Sequence, residues 1–445
     1  MIIQRSGKCW EPSESRIRRP LDALNFFLAD VRGGLGPYLA TYLLTVRHWD
    51  EASIGLVMSI ATLAGLLAQT PAGALVDAAQ AKRGAVAAAA LLVAFASLSL
   101  PWLPDFWSVA ASQAAAHAAA AVVAPAISAI TLGTMGHAAF ARRIGRNESF
   151  NHAGNVFAAA VAGVTAYVWG PIVVFLLLAA MSLASLVSVL TIPANAIDHD
   201  LARGLDDGKW VQCEGREQHD RPSGLQVLVT CRPLLVFAAC VVLFHFANAA
   251  MLPLVGQKLA LKDQNLGTSL MSACIIAAQI VMVPMAMLVG SKADAWGRKP
   301  LFLTALVILP IRGALYAFSN DAYWLVGVQL LDGVGAGIYG AIFPIIVADL
   351  MRGTGRFNVA QGVIITAQEI GAALSTAVAG LVVVAAGYRA AFLALAGIAA
   401  AALLLFWLAM PGTSANETSR TRPFRDDACD PIARLSGAPA EQSSC

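Results

Sequence analysis

Gly290-Ser-Lys-Ala-Asp294-Ala-Trp-Gly297-Arg298-Lys-Pro300 lies between two long apolar runs. A second version stands 217 positions earlier, Gly73-Ala-Leu-Val-Asp77 followed by Lys82 and Arg83, again between two apolar runs. Each joins two apolar segments through a tight turn. A glycine leaves room where backbones approach. An acid one turn later can face the positive N-terminus of a neighbouring helix. The first version lacks the second glycine and reads Ala78-Ala-Gln-Ala-Lys82-Arg83.

Working outward, the chain of 445 residues is 58% apolar and 13% charged. Soluble domains carry about a quarter charged residues. Apolar runs near 20 residues, long enough to cross a hydrocarbon core of about 30 Å, recur at 22–46, 52–75, 84–101, 107–133, 150–169, 171–191, 233–256, 266–289, 300–319, 322–348, 360–385 and 390–410. The alternating ten-residue segments of an outer-membrane barrel are absent, so the spans are helices that satisfy their own backbone hydrogen bonds. The fold class expected is all-α integral membrane, with 12 transmembrane helices.

Basic residues orient the chain. With the N-terminus inside, 24 of the 30 Lys and Arg fall in cytoplasmic segments. The opposite side holds Arg47, Lys258, Lys262 and Arg389, while Arg32 and Arg312 fall within spans. This bias places both termini in the cytoplasm. The net charge of +3 follows from these loops and gives no reason to expect nucleic acid as a partner. The first 21 residues are polar and basic without a cleavage pattern, so no signal peptide is read. None of the seven cysteines falls in an outer loop, and no structural disulfide is expected. Cys9 and Cys445 lack lipidation contexts.

The division read from polarity is a cytoplasmic tail 1–21, a bundle 22–191, a linker 192–232, a bundle 233–410 and a disordered tail 411–445. The halves echo each other beyond the two turns. Phe26-Phe-Leu-Ala-Asp30 matches Phe244-His-Phe-Ala-Asn248, each followed by a proline, Pro37 or Pro253. Gly145-Arg146, with Phe150-Asn151-His-Ala-Gly154, matches Gly355-Arg356-Phe357-Asn358-Val-Ala-Gln-Gly362. Three matches in one order point to duplication.

Paired Gly-x-x-x-Asp turns with trailing basic residues, in two halves of a very apolar chain, resemble the major facilitator superfamily of secondary transporters. The resemblance implies two pseudo-symmetric six-helix bundles around a central cavity. It implies that Asp77 faces the start of the eleventh helix and Asp294 the start of the fifth, with Arg298 beside Asp294. Gly73, Asp77, Gly290, Asp294, Gly297 and Arg298 then form a conformational gate that breaks when the cytoplasmic side opens. It also implies that the first, fourth, seventh and tenth helices line the cavity.

Ionisable groups inside a span are costly and face a cavity or a partner. Asp30 and Arg32 lie about 12–15 Å into the first span at 1.5 Å per residue. Gly33, Gly34, Gly36 and Pro37 follow, a backbone easily bent or unwound. Asp30 is a proton-coupling candidate, and Glu369 beside Gln368 is the second. Arg32, Gln113, His117, His245, Asn248, Gln329 and Asp332 are substrate-cavity candidates. Asp332 opens Asp-Gly-Val-Gly-Ala-Gly337, which permits close helix packing. Arg312 reads as a snorkelling or structurally paired residue, and Asp349 near Arg352 and Arg356 as a gate or surface pair.

His117, His152 and His245 lie on different spans without metal-ligand spacing, so no metal site and no cofactor are expected. Nucleotide-binding and nucleophile-elbow motifs are absent, and an enzyme or a sensor is the lesser alternative. The reading is a monomeric inner-membrane transporter working by alternating access, with a small-molecule substrate and protons as coupling ion. Efflux is favoured over uptake, although the fifth span reads Gly154-Asn-Val-Phe-Ala-Ala-Ala-Val-Ala-Gly163, without the Gly-Pro pair usual in drug exporters.

Overall fold

The computed structural model describes residues 15–29, 39, 42–43, 46–49, 51–169, 172–205, 226–262 and 264–410. Asp30 and Arg32, about half of the predicted linker (206–225), residues 1–14 and the tail 411–445 lie outside the described residues. Within them the chain is helical, without a strand: α1 Ser15–Leu28, α2 Glu51–Ala78, α3 Lys82–Ser99, α4 Phe106–Ala120, α5 Val123–Trp169, α6 Ile172–Thr191, α7 Arg232–Asn248, α8 Met251–Lys262, α9 Gln264–Trp296, α10 Arg298–Phe318, α11 Ala322–Leu350 and α12 Phe357–Ala409.

Nine described stretches are long and apolar enough to cross a membrane. Two of them are double-length, and each is broken at a glycine: Gly136 in α5 (φ 67°, ψ 171°) and Gly387 in α12 (φ 81°, ψ 171°). Side chains rarely adopt this backbone region, so glycine is what allows the chain to reverse there with almost no loop. Divided at these points, the stretches give eleven crossings among the described residues. The first predicted span, 22–46, is described only in part. The sequence reading began the fifth span at 150, but its helix starts just after Gly136, because the polar stretch 137–149 finds partners inside the fold.

Each half builds its own interior. One apolar cluster runs from Leu234 through Phe302 and Tyr339 to Phe406 and draws Phe140, Ala141 and Ile144 from the other half. A second joins Leu21, Leu24, Val76, Val86, Ile127 and Val189, and a third Leu39, Val57, Val109 and Phe175. Outward faces carry large apolar side chains, with Val384 at 90% exposure. Patches of this kind are a liability in water and are normal against lipid. Exposed Trp102, Trp107, Phe318, Tyr323 and Trp324 gather at the α3–α4 and α10–α11 connections. Those turns are closed alike, with Asp105 capping α4 and Asp321 capping α11 through the amides of Ser108 and Trp324.

The duplication is visible in packing. A Cβ on Gly145 would lie 2.5 Å from the carbonyl oxygen of Ala286, and one on Gly362 would lie 2.5 Å from that of Gln69. Gly145 and Gly362 are 217 apart, as are Gln69 and Ala286. Phe140 and Phe357, also 217 apart, touch edge to face at 5.8 Å, so the pseudo-twofold axis passes between them. Gly154 packs on α1 and Gly371 on α7 in the same way. This corrects the register drawn from sequence. Gly145 corresponds to Gly362 rather than to Gly355, because helix contacts and not the Gly-Arg dipeptide define equivalence.

The expectation of no disulfide is also corrected. Cys231, fully buried where the chain enters α7, is disulfide-bonded. Loop position alone did not reveal that pairing. Cys240 and Cys274 are free and buried.

Candidate functional site

α2 and α12 meet at one end of the molecule, and α5 and α9 meet beside them. Gly73 has no room for a side chain, since a Cβ there would overlap the carbonyl oxygen of Asn358. A Cβ on Gly290 would lie 2.9 Å from Cα of Gly145. The two glycines thus bring backbones of opposite halves into contact.

The close approach delivers Asp77 to the first turn of α12. Its Oδ2 accepts the amide of Val359 at 2.9 Å, and its Oδ1 accepts the amide of Asn358 at 3.2 Å and the Asn358 side-chain Nδ2 at 2.8 Å. These amides are among the four that a helix start leaves without intrahelical partners, and the carboxylate also meets the positive end of the helix dipole. Asn358 then donates to the carbonyl of Ala202 at 2.9 Å. Segment 194–205, which follows α6, is thereby tied to α12. Gly353 N–H donates to Gly204 O at 2.6 Å, and Asp198 N–H to Gly133 O at 2.9 Å. This strap was not read from sequence; Asn358 at the second position of a helix was its one visible signal.

The second turn is built differently. Asp294 is half-exposed and meets Arg298 at 2.8 Å. Arg298, nearly buried, also donates to Asp349 at 2.7 Å and to the carbonyl of Ala293 at 3.0 Å. Gly297 takes φ 84° to separate α9 from α10. The contrast has a local cause. The repeat equivalent of Asn358 is Ala141, which lies a turn inside the helix that starts after Gly136, so its amide is not at a helix start.

Deeper in the molecule, Asp332 and Gln329 of α11 join Arg312 and Tyr316 of α10. Arg312 is ion-paired to Asp332 and almost wholly buried, Gln329 donates to Asp332 at 2.8 Å, and Tyr316 bonds Gln329. A second polar set lies between α7, α11 and α12. The His245 ring stands edge-on to Tyr339 at 4.8 Å, Tyr339 Oη donates to Gln368 at 3.2 Å, and Gln368 Nε2 lies 3.5 Å from Glu369. Sequence reading missed Tyr339, whose apolar neighbours on α11 disguise it. His245 Nε2, Asn248 Oδ1 and Gln113 Nε2 are buried without a hydrogen-bond partner among the described residues. His117 is exposed and faces Gly65 of α2.

Two further contacts were not read from sequence. His152 meets Gln279 of α9 at 2.8 Å, across the halves. Asp22 binds Arg143 at 2.6 Å and Arg146 at 2.8 Å, fixing α1 to α5, and Asn147 bridges Arg143 to Thr131. No cluster of three His, Cys, Asp or Glu able to hold a metal ion occurs among the described residues.

Membrane-crossing halves related by a twofold, meeting through glycine seams and a carboxylate on a helix start, have the build of a secondary transporter. Comparison with known proteins gives the family. The sequence model of the Major Facilitator Superfamily matches residues 21–291 and 237–436. Two uncharacterized MFS-type transporters, from Mycobacterium tuberculosis strains CDC 1551 and H37Rv, are each 55% identical over 409 residues, covering 92% of this chain and 96% of theirs. The chain belongs to the major facilitator superfamily.

Solved structures agree at the level of fold. The transporter FucP in its outward conformation superposes with a TM-score of 0.67 at 15% identity, covering 88% of this chain and 99% of that one. The human organic anion transporter MFSD10 gives 0.63 at 15% identity, covering 89% of this chain and all of that one. The proton:xylose symporter XylE gives 0.63 at 13% identity, covering 89% and 95%.

Proposed function

We propose that this transporter exports a small organic compound in exchange for protons, with Asp30 or Glu369 exchanging the proton. The supporting observation is a contrast between two acids deep in the second half. Asp332 is paired with the buried guanidinium of Arg312. Glu369 has an amide beside it and, among the described residues, no Lys or Arg within ion-pair distance. Neutralising Asp332 leaves a buried cation unpaired, whereas Glu369 can take up and release a proton without that penalty.

A carboxylate free of a cation can also hold a cationic or hydrogen-bonding solute. Solute and proton then compete for one group, and competition yields exchange. An inward proton gradient converts exchange into export. Gln113, His117, His245, Asn248 and Arg32 supply the polar contacts of the pocket in this reading. The gate residues Gly73, Asp77, Gly290, Asp294, Gly297 and Arg298 close one end. The protein acts as a monomer in a bacterial inner membrane, with both termini and the 192–232 linker in the cytoplasm and the bundles at 22–191 and 233–410.

Proton-coupled uptake is the second reading, favoured by the stretch Gly154–Gly163 without a Gly-Pro pair. Reconstituted vesicles with an imposed pH gradient and a panel of labelled compounds decide between them. Export predicts that solute moves against the proton flow, and Glu369→Gln should remove the response to the gradient while sparing downhill exchange. Movement of solute with the protons would establish uptake instead. A well-folded Glu369→Gln protein with an undiminished gradient response would move the proton role to Asp30.

A further inference from the structure

A cavity of about 270 Å³ lies outside the transport path described above, where α2 ends, α3 begins and the chain leaves α6. It is lined by Gln80, Lys82, Arg83, Leu190, Ile197 and His199 among others, and no carboxylate lines it. Its volume is far above the about 10–15 Å³ that admits one water. Lys82 is 1% exposed. Its ammonium donates to the carbonyl of Ala79 at 2.8 Å, and no acid lies within ion-pair distance among the described residues. Arg83 likewise rests on backbone, donating to Val189 O at 3.3 Å and Leu190 O at 2.6 Å.

An ammonium has three donors and a guanidinium five, so both cations keep capacity beyond these carbonyls. The neighbouring acids are engaged elsewhere. Asp77 holds α12, Asp198 accepts the amides of Asp200 and Leu201, and Asp200 pairs with Arg203. His199 Nδ1 is buried and lacks a partner among the described residues. Burial, and then the nearby Lys82 charge, hold the His199 imidazole below its usual range, so the ring is neutral there. A neutral ring carrying its proton on Nδ1 adds one more donor. The start of α3 adds others, because Ala81 offers no side-chain cap.

Donors and positive charge therefore line the opening, while the Asp77 and Asp200 charges reach Lys82 only from beyond ion-pair distance. A buried cation without a directly paired counter-charge is costly, and an oxyanion with several acceptor oxygens answers both needs. We propose that this cavity binds a phosphate group, supplied by the headgroup of an anionic phospholipid. The lipid source follows from the cavity's edge. Leu190 lines it and is 53% exposed, continuing a stripe of Leu176, Leu183 and Val187 along the outer face of α6. Acyl chains lying on that stripe would bring a phosphate to Lys82 and Arg83, as basic pockets at helix ends do for anionic headgroups. Soluble phosphate shares the chemistry and is the alternative source. A bound phosphate would join the turn after Asp77 to segment 194–199. It would therefore favour the state in which the Asp77 contact is closed.

The test uses the full-length protein in nanodiscs of phosphatidylcholine, with or without phosphatidylglycerol. Melting temperature and lipid retention by native mass spectrometry are read. Phosphatidylglycerol should raise the melting temperature and be retained. Both effects should be lost in the Lys82→Gln/Arg83→Gln protein and kept in Arg142→Gln, which removes an exposed arginine elsewhere at the same end. Because Lys82 and Arg83 also hold helix-end carbonyls, His199→Ala is the second variant, and it should weaken retention without lowering stability in phosphatidylcholine alone. Equal melting in the two lipids, or a phosphatidylglycerol effect that survives both sets of substitutions, overturns the proposal. Full stabilisation by millimolar inorganic phosphate in phosphatidylcholine discs overturns the lipid source.

Discussion

Asp77 gathers three donors from the opposite half, whereas Asp294 has Arg298 across a single turn. Hydrogen bonds to a charged group are worth about 1.5–3 kcal/mol, and exposed ion pairs about 0–1 kcal/mol. Asp77→Asn is therefore expected to open the latch end much more readily than Asp294→Asn. Alkylation of a cysteine placed behind the seam measures this, and equal accessibility in the two variants would contradict the unequal latch. Asp332 and Glu369 differ in a similar way. Asp332→Asn leaves Arg312 buried and unpaired, with an expected loss of about 3–5 kcal/mol. Glu369→Gln should leave the melting temperature nearly unchanged. Thermal unfolding of both variants checks the contrast. The two Gly-x-x-x-Asp turns were legible because glycine and acid spacing states a geometric need. The partner of Asp332 was not, because Arg312 lies on another helix and spacing carries no information about approach.

At the scale of elements, the seams between halves depend on missing side chains. A methyl group at position 73 would overlap the Asn358 carbonyl, and one at 362 would press on Gln69. Gly73→Ala is expected to keep each half folded, since both neighbours of α2 within its own half are undisturbed, but to hold the latch end apart. Cross-linking between cysteines at the ends of α2 and α12 measures it, and wild-type yield would show that the backbones can part without cost. Most crossings were legible as apolar runs. The start of the fifth was not, because Arg143, Arg146 and Asn147 made 137–149 look like a loop. Their polar groups are met by Asp22 and Thr131, so burial there is compensated and the helix continues. The strap at 194–205 was hidden for the opposite reason, since its contacts are made by backbone carbonyls that any residue provides.

For the whole molecule, two independent features assign opposite characters to its ends. In the topology read from sequence, 24 of the 30 Lys and Arg fall in the segments on the Asp77 side against four on the other side. Exposed Trp102, Trp107, Phe318, Tyr323 and Trp324 gather at the other end, where aromatic rings suit the membrane interface. Aromatic belts form at both surfaces and so mark depth without direction, whereas the basic bias carries direction. The duplication strengthens the inference, because both halves enter the membrane in the same sense and each contributes its own basic turn. The expected topology places the termini, the linker and the Asp77 latch in the cytoplasm. A cysteine introduced at Gln212 in intact cells should resist a membrane-impermeant thiol reagent, and one at Lys262 should react. Comparable labelling of the two would reverse the orientation and, with it, turn the latch from a barrier facing the cytoplasm into one facing outward.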